Sequence, residues 1–182
     1  MPNYGRARPG NTRGGLFDPG NVRSGDVGEA STRRHLEAAF GADSSVHVFH
    51  NLSVPGAKAD IDHAVLRGDT LVVVDSKHWK PGFYWTIAGK TFRGFERFPY
   101  ADRRGTSMAV DHLRKLLPGV KVSGITVVWS RGGRASLGLA HDASGARFCP
   151  GPELGEALRK RFRGAATVPN VSALRLLSGL MR

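Results

Sequence analysis

Two aspartates and a lysine flanking one tight turn are the residues of this chain best placed to do chemistry. Asp60 to Arg67 reads as a strand, Gly68-Asp69 as a two-residue turn, and Thr70 to His78 as the returning strand. With Gly68 at the first central position of a type II′ turn, Arg67 faces Thr70. The same register then sets Asp62 opposite Asp75 and Asp60 opposite Lys77, and period-two alternation places all four on one face. Opposed residues have Cβ atoms about 4.5–5.5 Å apart, so two carboxylates converge, which costs stability unless something neutralises them. A hard divalent cation, magnesium or manganese, takes such oxygen ligands. Lys77, two residues along from Asp75, can then steer a water or offset charge on an attacked phosphate. The spacing alone fits a solvated Asp pair bridged by Lys77 equally well. The Leu71-Val72-Val73-Val74 run tips the balance, because a charged end on a central apolar strand is unusual outside a cleft.

Several elements must hold that hairpin. A helix is expected from about Asp26 to Phe40, stopped by Gly41, and a strand over Val46 to Leu52 before a Pro55-Gly56 turn. A second hairpin, Phe83 to Ile87 and Lys90 to Phe98, turns at Ala88-Gly89. A helix over Thr106 to Leu117 leads to a strand over Lys121 to Ser130. Ala135 to Phe148 reads as a weaker hairpin turning near Ser144-Gly145, and helices over Pro152 to Arg163 and Val171 to Met181 close the chain. The order indicates an α/β (α+β) fold, a central mixed β-sheet flanked by helices. Three parts are expected: a flexible basic arm over 1–24, a core over 25–150, and C-terminal helices over 151–182 packed on it.

Composition narrows the partners. The 182 residues carry 27 Lys and Arg against 15 Asp and Glu, a net charge of +12 that attracts polyanions. The lone Cys149 excludes a disulfide framework and any multi-cysteine zinc site. No apolar run approaches the ~20 residues of a membrane span, and no signal-peptide core opens the chain, so the expectation is a cytoplasmic protein without a membrane partner.

Asp60-Ile61-Asp62-His63-Ala64-Val65, then Leu71-Val72-Val73-Val74-Asp75-Ser76-Lys77-His78-Trp79, with Gly28-Glu29 upstream, resembles the core of the nuclease-related domain (NERD) family of the PD-(D/E)xK nuclease superfamily. The likeness covers roughly Gly25 to Leu117. It implies a restriction-endonuclease-like core with a C-terminal helical extension, and magnesium- or manganese-dependent DNA hydrolysis. It further implies Asp62 and Asp75 as metal ligands, the Ser76 carbonyl as a third, Lys77 as the catalytic lysine, and Glu29 approaching the metal from the first helix. Glu29 also reads as the far half of a capping box with Asp26. Relatives often carry a glutamine early in the helix after the Asp-x-Lys strand, where this chain has Met108, with Thr106 and Ser107 nearby. The His50-Asn51 pair lacks the helix that a ββα-metal nuclease requires, and His63, facing away from Asp62, reads as a packed, hydrogen-bonded histidine.

Lys80, Lys90, Arg93, Arg97, Arg103 and Arg104 lie among Phe83, Tyr84, Trp85, Phe92 and Phe95, a mixture that suits phosphates and stacked bases as well as it suits an aromatic core with solvated charges. Trp79, on the face of Lys77, either stacks on a base or packs in the core. The reading that follows is a magnesium-dependent DNA endonuclease, with RNA as the other candidate polymer. The alternatives are a non-catalytic nucleic-acid-binding module and a basic component of a larger assembly.

Overall fold

The computed structural model describes residues 3–4, 19–53, 60–102, 104–142 and 145–181, with side chains described from Gly25 onward except that of Asp102. In chain order the strands are β1 Asn3–Tyr4, β2 Val46–Leu52, β3 Ile61–Arg67, β4 Thr70–Trp79, β5 Gly82–Ile87, β6 Lys90–Arg93, β7 Glu96–Arg97, β8 Lys121–Ser130, β9 Ala135–Leu139 and β10 Cys149–Pro150. The α-helices are α1 Pro19–Phe40, α2 Gly105–Leu116, α3 Leu154–Arg161 and α4 Val171–Gly179. The six-stranded main sheet runs β1-β2-β3-β4-β8-β10, and it is mixed: β2, β3 and β4 meander antiparallel while β8 and β10 continue parallel to β4.

Period two sorts the central strands into two cores. Val72 and Val74 of β4, with Val65, Ile125 and Val127, bury against Leu36 and Phe40 of α1 and Leu154, Leu158 and Phe162 at α3. Leu71 and Val73, with Ala64, Leu66 and Val122, bury against Val110 and Leu113 of α2 and Ala173 and Leu177 of α4. A third cluster of Trp79, Tyr84, Val128, Leu137 and Phe148 joins the end of the main sheet to a second sheet of order β7-β6-β5-β9.

The β3–β4 register is the expected one, Arg67↔Thr70 through His63↔Val74. Gly68 has φ +56° while Asp69 is not among the positive-φ residues, which agrees with a II′ turn. A side chain on Gly68 would also meet the Ala166 carbonyl oxygen at 2.6 Å. At Ala88-Gly89 both residues take positive φ, 47° and 70°, the signature of a I′ hairpin.

Three expectations are corrected. Helix α1 begins at Pro19, so Asp26 lies inside it and cannot be the N-cap of a capping box. Of the arm expected over 1–24, Asn3 and Tyr4 instead pair parallel with Val48 and Phe49 of β2. The stretch from Ala135 to Phe148 is a hairpin only in its last part: β9 pairs with β5 and β10 with β8, while the His141↔Arg147 bridge, with Asp142 N–H donating to Ala146 O and Phe148 N–H to Ala140 O, joins the chain on either side of the expected turn. The Pro55-Gly56 turn, Arg103 and Ser144 lie outside the described residues. No helix among the described residues is long and apolar enough to cross a membrane.

Candidate active site

The β3–β4 ladder stops at His63↔Val74, and the acidic pair occupies the next position, where the strands part. The Ser76 N–H donates to Asp62 Oδ2 at 2.7 Å across the gap. The N–H and C=O of one strand residue point to the same neighbouring strand, so the Ser76 carbonyl faces that gap too. Lys77 Nζ donates to Asp75 Oδ1 at 2.6 Å, with both side chains partly exposed. Asp75, Lys77, Trp79, Tyr100, Thr106, Thr126 and Phe148 line a cleft of about 160 Å³ beside them.

Charge crowding sets the chemistry of this gap. The Asp62 carboxyl is pushed up from 3.8 to about 8, first by burial and then by the Asp75 charge, with Glu29 adding to the rise. Lys77 and the Ser76 N–H pull in the other direction without cancelling it. Glu29 is raised as well, by burial, by Asp26 on the same helix and by Asp75. Lys77 offsets the negative charge of this cluster only in part, and a divalent cation, which prefers oxygen ligands, would offset it further. Asp62 and Asp75 therefore offer a divalent cation two carboxylate donors.

The donor set is smaller than expected. Among the described residues no three His, Cys, Asp or Glu side chains converge on a metal-sized point. Glu29 thus sits within electrostatic reach of Asp75 and Asp62 without converging with them on one point. Its position depends on Gly28, where a Cβ would lie 3.3 Å from Lys77 C and 3.4 Å from His78 N. Because β4 is pinned between β3 and β8, Gly28→Ala should move α1 by a few tenths of an ångström. Better helix propensity, about 1 kcal/mol, offsets much of the stability cost, so the expected result is a near-unchanged melting temperature with turnover about tenfold lower. A kcat within twofold of wild type would show that the close approach does not set the site.

The other expected residues divide. Trp79 is a core residue and not a stacking platform: it is 6% exposed, with its ring centroid 4.9–5.0 Å from those of Tyr84, Phe98 and Phe148. Tyr84 is buried outright. Lys80, Lys90, Arg97 and Arg104 are exposed, while Arg93 is half-buried, donating through Nε to the Pro81 carbonyl at 3.0 Å. His63 is buried, its Nδ1 2.6 Å from His50 Nδ1, and burial holds both rings well below the usual histidine range. Among the described residues its Nε2 has no partner at hydrogen-bonding distance, although the Glu29 main chain lies close enough to the ring to oppose that shift.

Met108 is 63% exposed and Ser107 turns back to the Arg104 carbonyl, whereas Thr106 faces the cleft and shares a 2.9 Å hydrogen bond with Thr126. Thr126 sits beside Asp75 in the β4–β8 register. Behind the site, buried Thr32 ties three elements together: Ser76 Oγ–H donates to its Oγ1 at 2.7 Å and Trp129 Nε1–H at 2.8 Å, and its own hydroxyl donates to the Gly28 carbonyl at 3.0 Å. Sequence reasoning missed Thr32 and Thr126. The available signal was alternation in β8, useful only once β8 is known to lie beside β4.

Residues 24–129, more than half of the chain, match the nuclease-related domain (NERD) family, and the chain belongs to it. No curated protein and no solved structure matches.

Proposed function

We propose that this chain is a metal-dependent nuclease that hydrolyses DNA phosphodiester bonds as an endonuclease or nickase. The observation that carries the reading is the crowding of Asp62 and Asp75 at the β3–β4 fork, with Lys77 alongside at the mouth of a cleft. Asp62, Asp75 and the Ser76 carbonyl would hold magnesium or manganese. A cation bound there polarises a phosphate and lowers the pKa of a coordinated water. Lys77 lines the cleft, where it would align a water and offset charge developing on the phosphate. Thr106 and Thr126 offer hydroxyls on the cleft wall. The first turn of α2, which no described side chain caps, begins at Gly105 on the lining of the same cleft. The net charge of +12 supplies non-specific affinity for the polymer.

A non-catalytic nucleic-acid-binding module is the second reading, favoured by the lack of a third converging ligand side chain among the described residues. Plasmid nicking separates the two. Supercoiled plasmid should relax with magnesium or manganese and stay intact with chelator, and no relaxation with any divalent ion would leave only the binding module.

A further inference from the structure

The second sheet turns one face inward and leaves the other partly exposed, with Trp85 and Phe92 half-buried on it. Alternation in β5 buries Tyr84 and sends Phe83, Trp85 and Ile87 outward. Register adds Phe92 of β6 and Leu139 of β9, both opposite Trp85. Phe83 is 48% exposed, and Ile87 and Leu139 are 60% exposed. Single exposed apolar residues are ordinary, but a contiguous outward face marks a binding surface.

The chemistry of the face selects its occupant. Trp85 and Phe92 stack at 4.8 Å with an interplanar angle of 19°, and Trp85 Nε1–H donates to the Gly94 carbonyl at 2.7 Å, which fixes the indole plane before anything binds. The Arg97 guanidinium lies 5.7 Å from the Phe92 centroid and is anchored to the Thr91 carbonyl at 2.7 Å. Lys90 is exposed opposite Ile87. Lys90 and Arg97 are the cations of this face, since the register puts Arg93 and Glu96 on the face of buried Tyr84. Flat, preorganised rings interleaved with cations match a ligand that carries both π-faces and phosphates. A duplex hides its base faces in the stack, and only an unpaired strand presents them.

We propose that the outer face of β5, β6 and β9 is a stacking platform for single-stranded nucleic acid. The claim deepens the nuclease reading and rests on it for the strand's fate: β4, which carries Asp75 and Lys77, leads into β5 through Lys80-Pro81.

Fluorescence anisotropy of the full chain in chelator, where no metal is present to support cutting, tests the binding by itself. The probes are a dye-labelled oligothymidylate, an abasic strand of equal length and a duplex. The oligothymidylate should bind more tightly than the abasic strand, and Trp85→Ala should weaken it about tenfold with little effect on the duplex. Phe83→Ala, at a half-exposed position, carries the same comparison if circular dichroism shows that Trp85→Ala has lost the fold. Unchanged oligothymidylate affinity in the variants, or equal affinity for the abasic strand, would overturn the platform. So would self-association that Trp85→Ala abolishes while strand binding stays intact, since the face would then meet a second copy of the chain. Plasmid nicking is scored separately: a tenfold Trp85 effect without nicking refutes the nuclease and keeps the platform, and nicking without the effect does the reverse.

Discussion

Asp62→Asn should lower metal-dependent cleavage by roughly 10³-fold while making the metal-free protein more stable at pH 8. The loss follows from the weight of Lewis-acid stabilisation, several kcal/mol, with each 1.36 kcal/mol worth tenfold in rate. The gain follows from linkage. Asp62 has a folded-state pKa near 8 against an ordinary value of 3.8, so its proton favours the folded state. That contribution is fully present below about pH 4 and is lost as pH rises through about 8. Asparagine cannot ionise and does not incur this loss. Asp62 retains some accessible surface, so the full shift overstates the effect, and about 1–2 kcal/mol is expected, a few degrees in melting temperature for a chain of this size. Buried His50 and His63 work in the opposite sense, because their depressed pKa values withdraw stability as pH falls below about 6.5. The informative quantity is therefore the difference in melting temperature between Asp62→Asn and wild type, measured in chelator from pH 5 to pH 9. It should grow with pH and shrink when magnesium is added. A difference that stays flat across that range would mean that Asp62 is an ordinary ionised carboxylate.

The hairpin was legible because two local rules set it. A glycine that accepts positive φ places the turn, and period two then assigns every side chain on β3 and β4 to a face, including Asp62, Asp75 and Lys77. Trp79 obeyed the same alternation and was still ambiguous. Face does not determine cover, and the cover here comes from Tyr84, Phe98 and Phe148, which only the fold brings together. Thr126 was invisible for a related reason: its place beside Asp75 depends on a parallel crossover through α2, and nothing local in either strand encodes that pairing. The second sheet was half legible. The I′ turn announced its hairpin, but β9 joins it from far along the chain with a register irregularity between Phe83 and Trp85, so the aromatic face could be read only as a mixture of rings and charges. The start of α1 was misplaced because Gly20, Gly25 and Gly28 weaken the helical pattern. At Gly28 that weakness has a use: the missing side chain lets the helix approach the strand that carries Lys77.

Lys77→Ala should separate two roles that the 2.6 Å contact with Asp75 leaves superposed. If Lys77 only neutralises Asp75, a divalent ion takes over that task, and the alanine variant should cleave normally once metal is saturating. If Lys77 acts on the water or the phosphate, its removal costs a preorganised donor worth about 10²–10³ in kcat, whatever the metal concentration. The geometry favours the second outcome. The ammonium is partly exposed at the cleft mouth instead of sealed between the carboxylates, so it can reach a ligand there. The same substitution removes a cation that competes with metal for Asp75, and titration calorimetry should show magnesium affinity unchanged or tighter. A variant with normal kcat at saturating magnesium would reduce Lys77 to a counter-ion. One with weakened metal binding would mean that the lysine organises the carboxylates and does not act on the substrate.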